Sequence, residues 1–86
     1  MSLLYSKHFL RRLKQRIKKK PQLKQRVGSQ LKLLLSDEKH PALRLHRLKG
    51  KRASELAIDI ESNLRIILIK RDGNFILTDI ITHDEY

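Results

Sequence analysis

Apolar residues recur at helical spacing through the first part of the chain and at strand spacing through the last part. Leu3-Leu4-Tyr5 reads as a short strand, and Ser6 follows as a helix N-cap whose hydroxyl can satisfy a first-turn amide. Phe9, Leu10, Leu13 and Ile17 then fall on one helical stripe. Lys18-Lys19-Lys20 closes that helix, where cations suit the negative end of the macrodipole. Pro21 either breaks the pattern or opens the next helix in its first turn. Leu23, Val27, Leu31, Leu34 and Leu35 carry a second stripe to about Ser36, with Gly28 weakening the helix or permitting close packing. The two helices form a hairpin with cationic outer faces.

From Ser36 to Pro41 the composition is that of a loop. Ala42 to Leu48 reads as extended, with Leu43 and Leu45 on one face and Arg44 and His46 on the other. Gly50, Lys51 and Arg52 make a turn. Leu56, Ile58 and Ile60 alternate with Ala57 and Asp59 as in a half-buried strand, and Glu61-Ser62-Asn63 turns the chain. Leu64 to Ile69 is apolar on both faces, the mark of a central strand. Asp72-Gly73 signals a hairpin, and Phe75 to Thr82 is the last strand. The predicted order is β-α-α-β-β-β-β: an α+β fold with an N-terminal helical hairpin packed on a largely antiparallel sheet.

Length and composition narrow the picture. Eighty-six residues make a single domain, 1–86, because halves would be too small to build cores. The absence of Cys removes disulfides, thiolate metal sites and cysteine nucleophiles. The longest apolar run, Ile66-Ile67-Leu68-Ile69, is far short of a membrane span, and Lys7 and His8 interrupt the apolar start too soon for a signal-peptide core. A cytoplasmic protein is the expectation, with no membrane partner.

Charge changes the picture most. Residues 1–52 hold 17 of the 20 Lys and Arg and only two acids, Asp37 and Glu38, for a net +15. Residues 53–86 hold three basic and seven acidic residues, for a net −4. A lobe that basic concentrates polyanions around itself, and nucleic acid is the first partner it implies.

Three places could carry chemistry. His46 lies among Arg44, Arg47 and Lys49, with Lys51 and Arg52 just beyond; these five cations are candidates for RNA binding. Arg65 interrupts an apolar strand at its start, and His83 to Tyr86 follow the last strand. Metal-free RNA cleavage needs a base for the 2′-hydroxyl, an acid for the leaving 5′-oxygen and positive charge at the phosphate. Imidazole can take either proton role and guanidinium can clamp phosphate, so His46, Arg65 and His83 form a minimal set. Tyr86 could stack on a base or donate a proton. The plainer readings stand beside these: strand histidines are commonly surface groups, Arg65 could equally pair Asp59 or Asp79, and helix cations are usually solvated. His8 and His40 show no ligand spacing with the other two, so neither a metal nor any other cofactor is expected.

The order of elements, with YSKHF leading into the first helix, LRLHRLKG, NLRIILIKRDG and the ending ITHDEY, resembles the RelE/ParE toxin superfamily across essentially the whole chain. Within it, the RelE/StbE and YafQ-type toxins of bacterial type II toxin–antitoxin modules are most similar. The resemblance implies a ribosome-dependent mRNA interferase, an endoribonuclease using 2′-hydroxyl attack without metal and leaving a 2′,3′-cyclic phosphate. It implies mRNA and ribosomal RNA as partners, a cognate antitoxin that neutralises the toxin, and operator DNA bound only through that complex. It places His46 at the histidine of the family's H-x-L-x-G strand, Arg65 at the arginine of the YRI strand, and His83 at the histidine of the ending. Ile81 stands in place of the usual glycine, Asp59 in place of a second histidine and Asp79 in place of an arginine. Two other functions share these features: a ParE-like toxin acting on gyrase, and a basic RNA-binding protein without chemistry.

Overall fold

The apolar triplet at the start forms strand β1 (Leu3–Tyr5), which turns at Ser6 into helix α1 (Lys7–Lys19), in a computed structural model that describes residues 2–50 and 54–82. The Ser6 hydroxyl accepts the Phe9 amide at 3.0 Å and donates to the Thr78 carbonyl at 3.2 Å, so one side chain caps the helix and ties it to the sheet. Pro21 lies in the turn between helices, and α2 (Leu23–Ser36) begins two residues later. Phe9 is fully buried and Leu13 and Ile17 pack beside it. Leu10, about 100° further round the helix, remains 48% exposed, so the first stripe is narrower than expected. On α2 the core face is Leu23, Val27, Gln30 and Leu34, while Leu35 is exposed.

The segment expected to be extended from Ala42 is a 3₁₀ turn over Pro41–Leu43, followed by Arg44 in the left-handed region at φ 49°. Proline, with its fixed φ, opens the turn, and the His40 Nδ1 accepts the Ala42 amide at 3.0 Å. Only β2 (His46–Arg47) remains of the strand. Then β3 (Leu56–Glu61), β4 (Leu64–Arg71) and β5 (Asn74–Thr82) run as a meander. Asp72 and Gly73, at φ 53° and 77°, form the two-residue turn between β4 and β5.

The five strands lie in the order β1-β5-β4-β3-β2, with β1 parallel to β5 and every other pair antiparallel. Both helices pack on one face over Ile58, Ile60, Ile66, Leu68, Phe75, Leu77 and Ile80. A bulge places Thr78 outside the register opposite Ile67 and Leu68, so Leu77 and Ile80 both reach this core although three residues apart. The second face is not open throughout. Ala57, Ile67 and Ile81 are buried there beneath Leu48, so β3 is apolar on both sides over part of its length rather than half-buried. No helix among the described residues is long and apolar enough to cross a membrane.

Gln30 is the one polar residue in the described core, 3% exposed. Its amide donates to the carbonyls of Ala42 at 3.2 Å and Asp59 at 2.7 Å, joining α2 to the 3₁₀ turn and to β3. Gln30→Leu preserves volume but leaves two acceptors without a donor. It is expected to destabilise the fold by about 2 kcal/mol, read as a lower midpoint of urea unfolding.

Candidate functional site

The register of the sheet decides which side chains share a face. His46 lies opposite Ala57, and Ala57 opposite Ile67, so the imidazole belongs to the face turned away from the helices. The next row on that face is Asp59, Arg65 and Ile81. Two strand spacings and one two-residue step separate His46 from Arg65, about 12 Å between Cα atoms. Both residues therefore look onto one surface, and neither contacts the other directly in the register.

The local backbone orients His46. Arg44, in its left-handed conformation, presents its carbonyl to the ring Nδ1 at 2.6 Å. A carbonyl only accepts, so Nδ1 carries the hydrogen, and in the neutral ring Nε2 keeps its lone pair. That is the tautomer a general base needs. The 3₁₀ turn that displaced the expected strand thus sets the chemistry of the histidine after it.

Arg65 is held by its cross-strand neighbour. Its Nε donates to Asp59 Oδ1 at 3.0 Å, and the two side chains are only 15% and 17% exposed. The other carboxylate oxygen lies 3.4 Å from Arg44 Nη1. One carboxylate thereby gathers two guanidinium groups from different elements, the start of β4 and the end of the 3₁₀ turn. Of the alternatives open on sequence grounds for Arg65, the pair with Asp59 forms and Asp79 is engaged elsewhere. Asp79 bonds Arg12 Nε at 2.8 Å and His8 Nε2 at 3.2 Å, both from α1. The two acids that stand where the resemblance expects basic groups therefore do different things: Asp59 lies within the candidate site, whereas Asp79 anchors a helix.

Arg44, Arg47 and Lys49 are exposed around His46 and form a cationic rim. Lys51, Arg52, His83 and Tyr86 lie outside the described residues. A second cationic region is a cleft of about 270 Å³ between the helical hairpin and the end of the sheet. Arg16, Lys19 and Lys20 line it, and so does Thr82 at the end of β5. Among the described residues, no three His, Asp or Glu side chains converge as metal ligands would.

Gln30 and Arg26 were not legible as site residues, yet both support this surface from behind. Arg26 Nε donates to the Ile60 carbonyl at 2.7 Å, next to the Gln30 bond to the Asp59 carbonyl. Together they hold the backbone that carries Asp59. The available signal was a polar residue at the core spacing of α2, between Val27 and Leu34.

No protein-family model and no curated protein matches the chain by sequence. Solved structures match by shape over almost its full length. YafQ from E. coli strain BL21(DE3) superposes with a TM-score of 0.80 at 15% identity, covering 96% of this chain and 93% of that one. A YoeB/ParE toxin from Agrobacterium tumefaciens gives 0.80 at 12% identity, covering 96% and 99%. The E. coli DinJ–YafQ complex gives 0.78 at 16% identity, covering 96% and 93%. Two helices on one face of a five-stranded mixed sheet make the fold that this chain shares with YafQ and with the YoeB/ParE toxin.

Proposed function

We propose that this chain is the toxin of a type II toxin–antitoxin module and that it cleaves mRNA on the ribosome. The observation that carries the reading is the shared face: His46, held with Nε2 able to accept a proton, looks onto the same surface as Arg65, in the fold of YafQ. The net charge of +11 supports a polyanionic substrate. In this reading an imidazole removes the proton of the 2′-hydroxyl, and the oxygen attacks the adjacent phosphorus. The bond to the 5′-oxygen breaks, leaving a 2′,3′-cyclic phosphate and a 5′-hydroxyl. Arg65 offsets the charge that builds on the phosphate, worth several kcal/mol in a preorganised site of this kind. His83, assigned from the resemblance, or Tyr86, whose phenol can donate a proton, protonates the leaving oxygen. The partner that restrains the toxin is an antitoxin whose acidic segment folds across the cationic rim, in keeping with the antitoxin complexes of YafQ and of YoeB.

Induction of the chain in a bacterial host, with primer extension across translated and untranslated messages, tests the activity. Cuts confined to translated regions and absent in His83→Ala are expected. Growth arrest with intact messages would move the reading to gyrase or another target, and the absence of both arrest and cuts would refute a toxin.

Arg65→Ala should relieve growth arrest while the protein remains folded. Losing the hydrogen bond to a charged, largely buried partner costs about 2 kcal/mol, against a total of about 4–13 kcal/mol for a domain of this length. A folded variant that still arrests growth removes Arg65 from the site. His46→Ala should slow cleavage of translated message in the same assay.

Neutralising Arg44, Arg47 and Lys49 together should weaken antitoxin binding and flatten its dependence on salt, measured by titration calorimetry at several ionic strengths. Unchanged affinity would place the antitoxin on another surface.

A further inference from the structure

Asp59 sits between two cations that the site would use on RNA. Its Oδ1 takes the Nε–H of Arg65 at 3.0 Å, and its Oδ2 lies 3.4 Å from Arg44 Nη1. Two oxygens of one anion, each turned to a different guanidinium, is the arrangement that the non-bridging oxygens of a phosphodiester adopt between two arginines. The Arg65 pair is largely shielded from solvent, so its attraction is weakly screened, whereas Arg44 is 71% exposed and held only at its tip. A phosphate arriving at this face meets a carboxylate already seated against both partners.

We infer that Asp59 is an internal phosphate mimic: it competes with RNA for Arg65 and Arg44 and keeps the intrinsic grip of this face on a phosphodiester weak. This rests on the reading of the face as an RNA site. The consequence is selectivity. A phosphodiester displaces the carboxylate only when contacts elsewhere hold the RNA in place, and the exposed cations of the rim around His46 would supply them. A free strand, with fewer such contacts, is held poorly.

The inference is tested by binding rather than by cleavage. The full-length protein is titrated with a fluorescent single-stranded RNA in which every ribose is 2′-O-methylated, so that no nucleophile is present. Asp59→Asn keeps the shape and a carbonyl acceptor for Arg65 but removes the charge. Asp72→Asn removes the same charge from an exposed turn roughly 23 Å away along β4, where Asn tolerates the positive φ. Asp59→Asn is expected to bind about tenfold more tightly than the parent, with Asp72→Asn unchanged. Equal or weaker binding by Asp59→Asn, or equal tightening by both variants, would overturn the inference. If Asp59→Asn does not fold, the Nε–H resonance of Arg65 in the parent provides the readout. It should shift on saturation with the RNA, and an unchanged resonance would refute displacement. Tighter binding by Asp59→Asn in a protein that neither arrests growth nor cuts messages would overturn the toxin reading alone. Cleavage by the parent without tighter binding would overturn the mimic alone.

Discussion

Neither outer strand of the sheet is as long as the strand it borders. β1 covers β5 only as far as Leu77, and β2 covers β3 only at Leu56 and Ala57. Beyond those points backbone carbonyls would face the helices without ladder partners, and a buried unpaired carbonyl costs about 1–3 kcal/mol. Side chains from the helical layer supply the donors. Ser6 serves Thr78 and Arg12 serves Ile80 on one side, while Arg26 serves Ile60 and Gln30 serves Asp59 on the other. Each pair sits beside a bulge, where the ladder is already disrupted. The helices are therefore joined to the sheet by directional bonds at both edges as well as by the apolar core between them. The position of each helix follows from which carbonyls it must reach.

The uneven distribution of charge has a structural use within this frame. The acids of the strand-rich half meet cations of the helix-rich half: Glu61 with Lys20, Asp79 with Arg12, Asp59 with Arg44. Glu38 reverses the direction and meets Lys70, whose ammonium also lies over the Phe75 ring. Most of these pairs are exposed enough to contribute little stability singly. The Asp59–Arg65 pair is the exception, because both side chains are largely shielded and aligned across the strands. With so few acids among so many bases, the outer helix faces and the rim around His46 keep a surplus of positive charge directed at solvent.

The candidate site inherits its geometry from these two constraints. A short β2 leaves room for the 3₁₀ turn, the turn places Arg44 in the left-handed region, and the Arg44 carbonyl then selects the tautomer of His46. Gln30 and Arg26 hold the β3 backbone, and β3 holds Asp59 beside Arg65. An imidazole and a guanidinium thus share one face, the guanidinium beside an Asp59 whose backbone is held by bonds made on the opposite side of the sheet.

The order of elements, the cap at Ser6, the hairpin at Asp72-Gly73, the central place of β4 and the cationic character of the first half are all legible in the sequence. These depend on spacing, turn chemistry and composition, which are local and readable. It also marked His46 and Arg65 as candidates, since a charged group within an apolar strand stands out without any knowledge of its neighbours. Burial was not legible there: that Leu10 and Leu35 lie outside the core and Gln30 within it depends on where each helix sits on the sheet. The same holds for the loss of most of the strand from Ala42 to Leu48, where a proline turn and a left-handed residue outweighed an alternating pattern. The choice of Asp59 rather than Asp79 as the partner of Arg65 was likewise beyond the sequence. It rests on strand register, and the bulge at Thr78 that accompanies Asp79's turn toward α1 is a property of pairing between strands rather than of either strand alone.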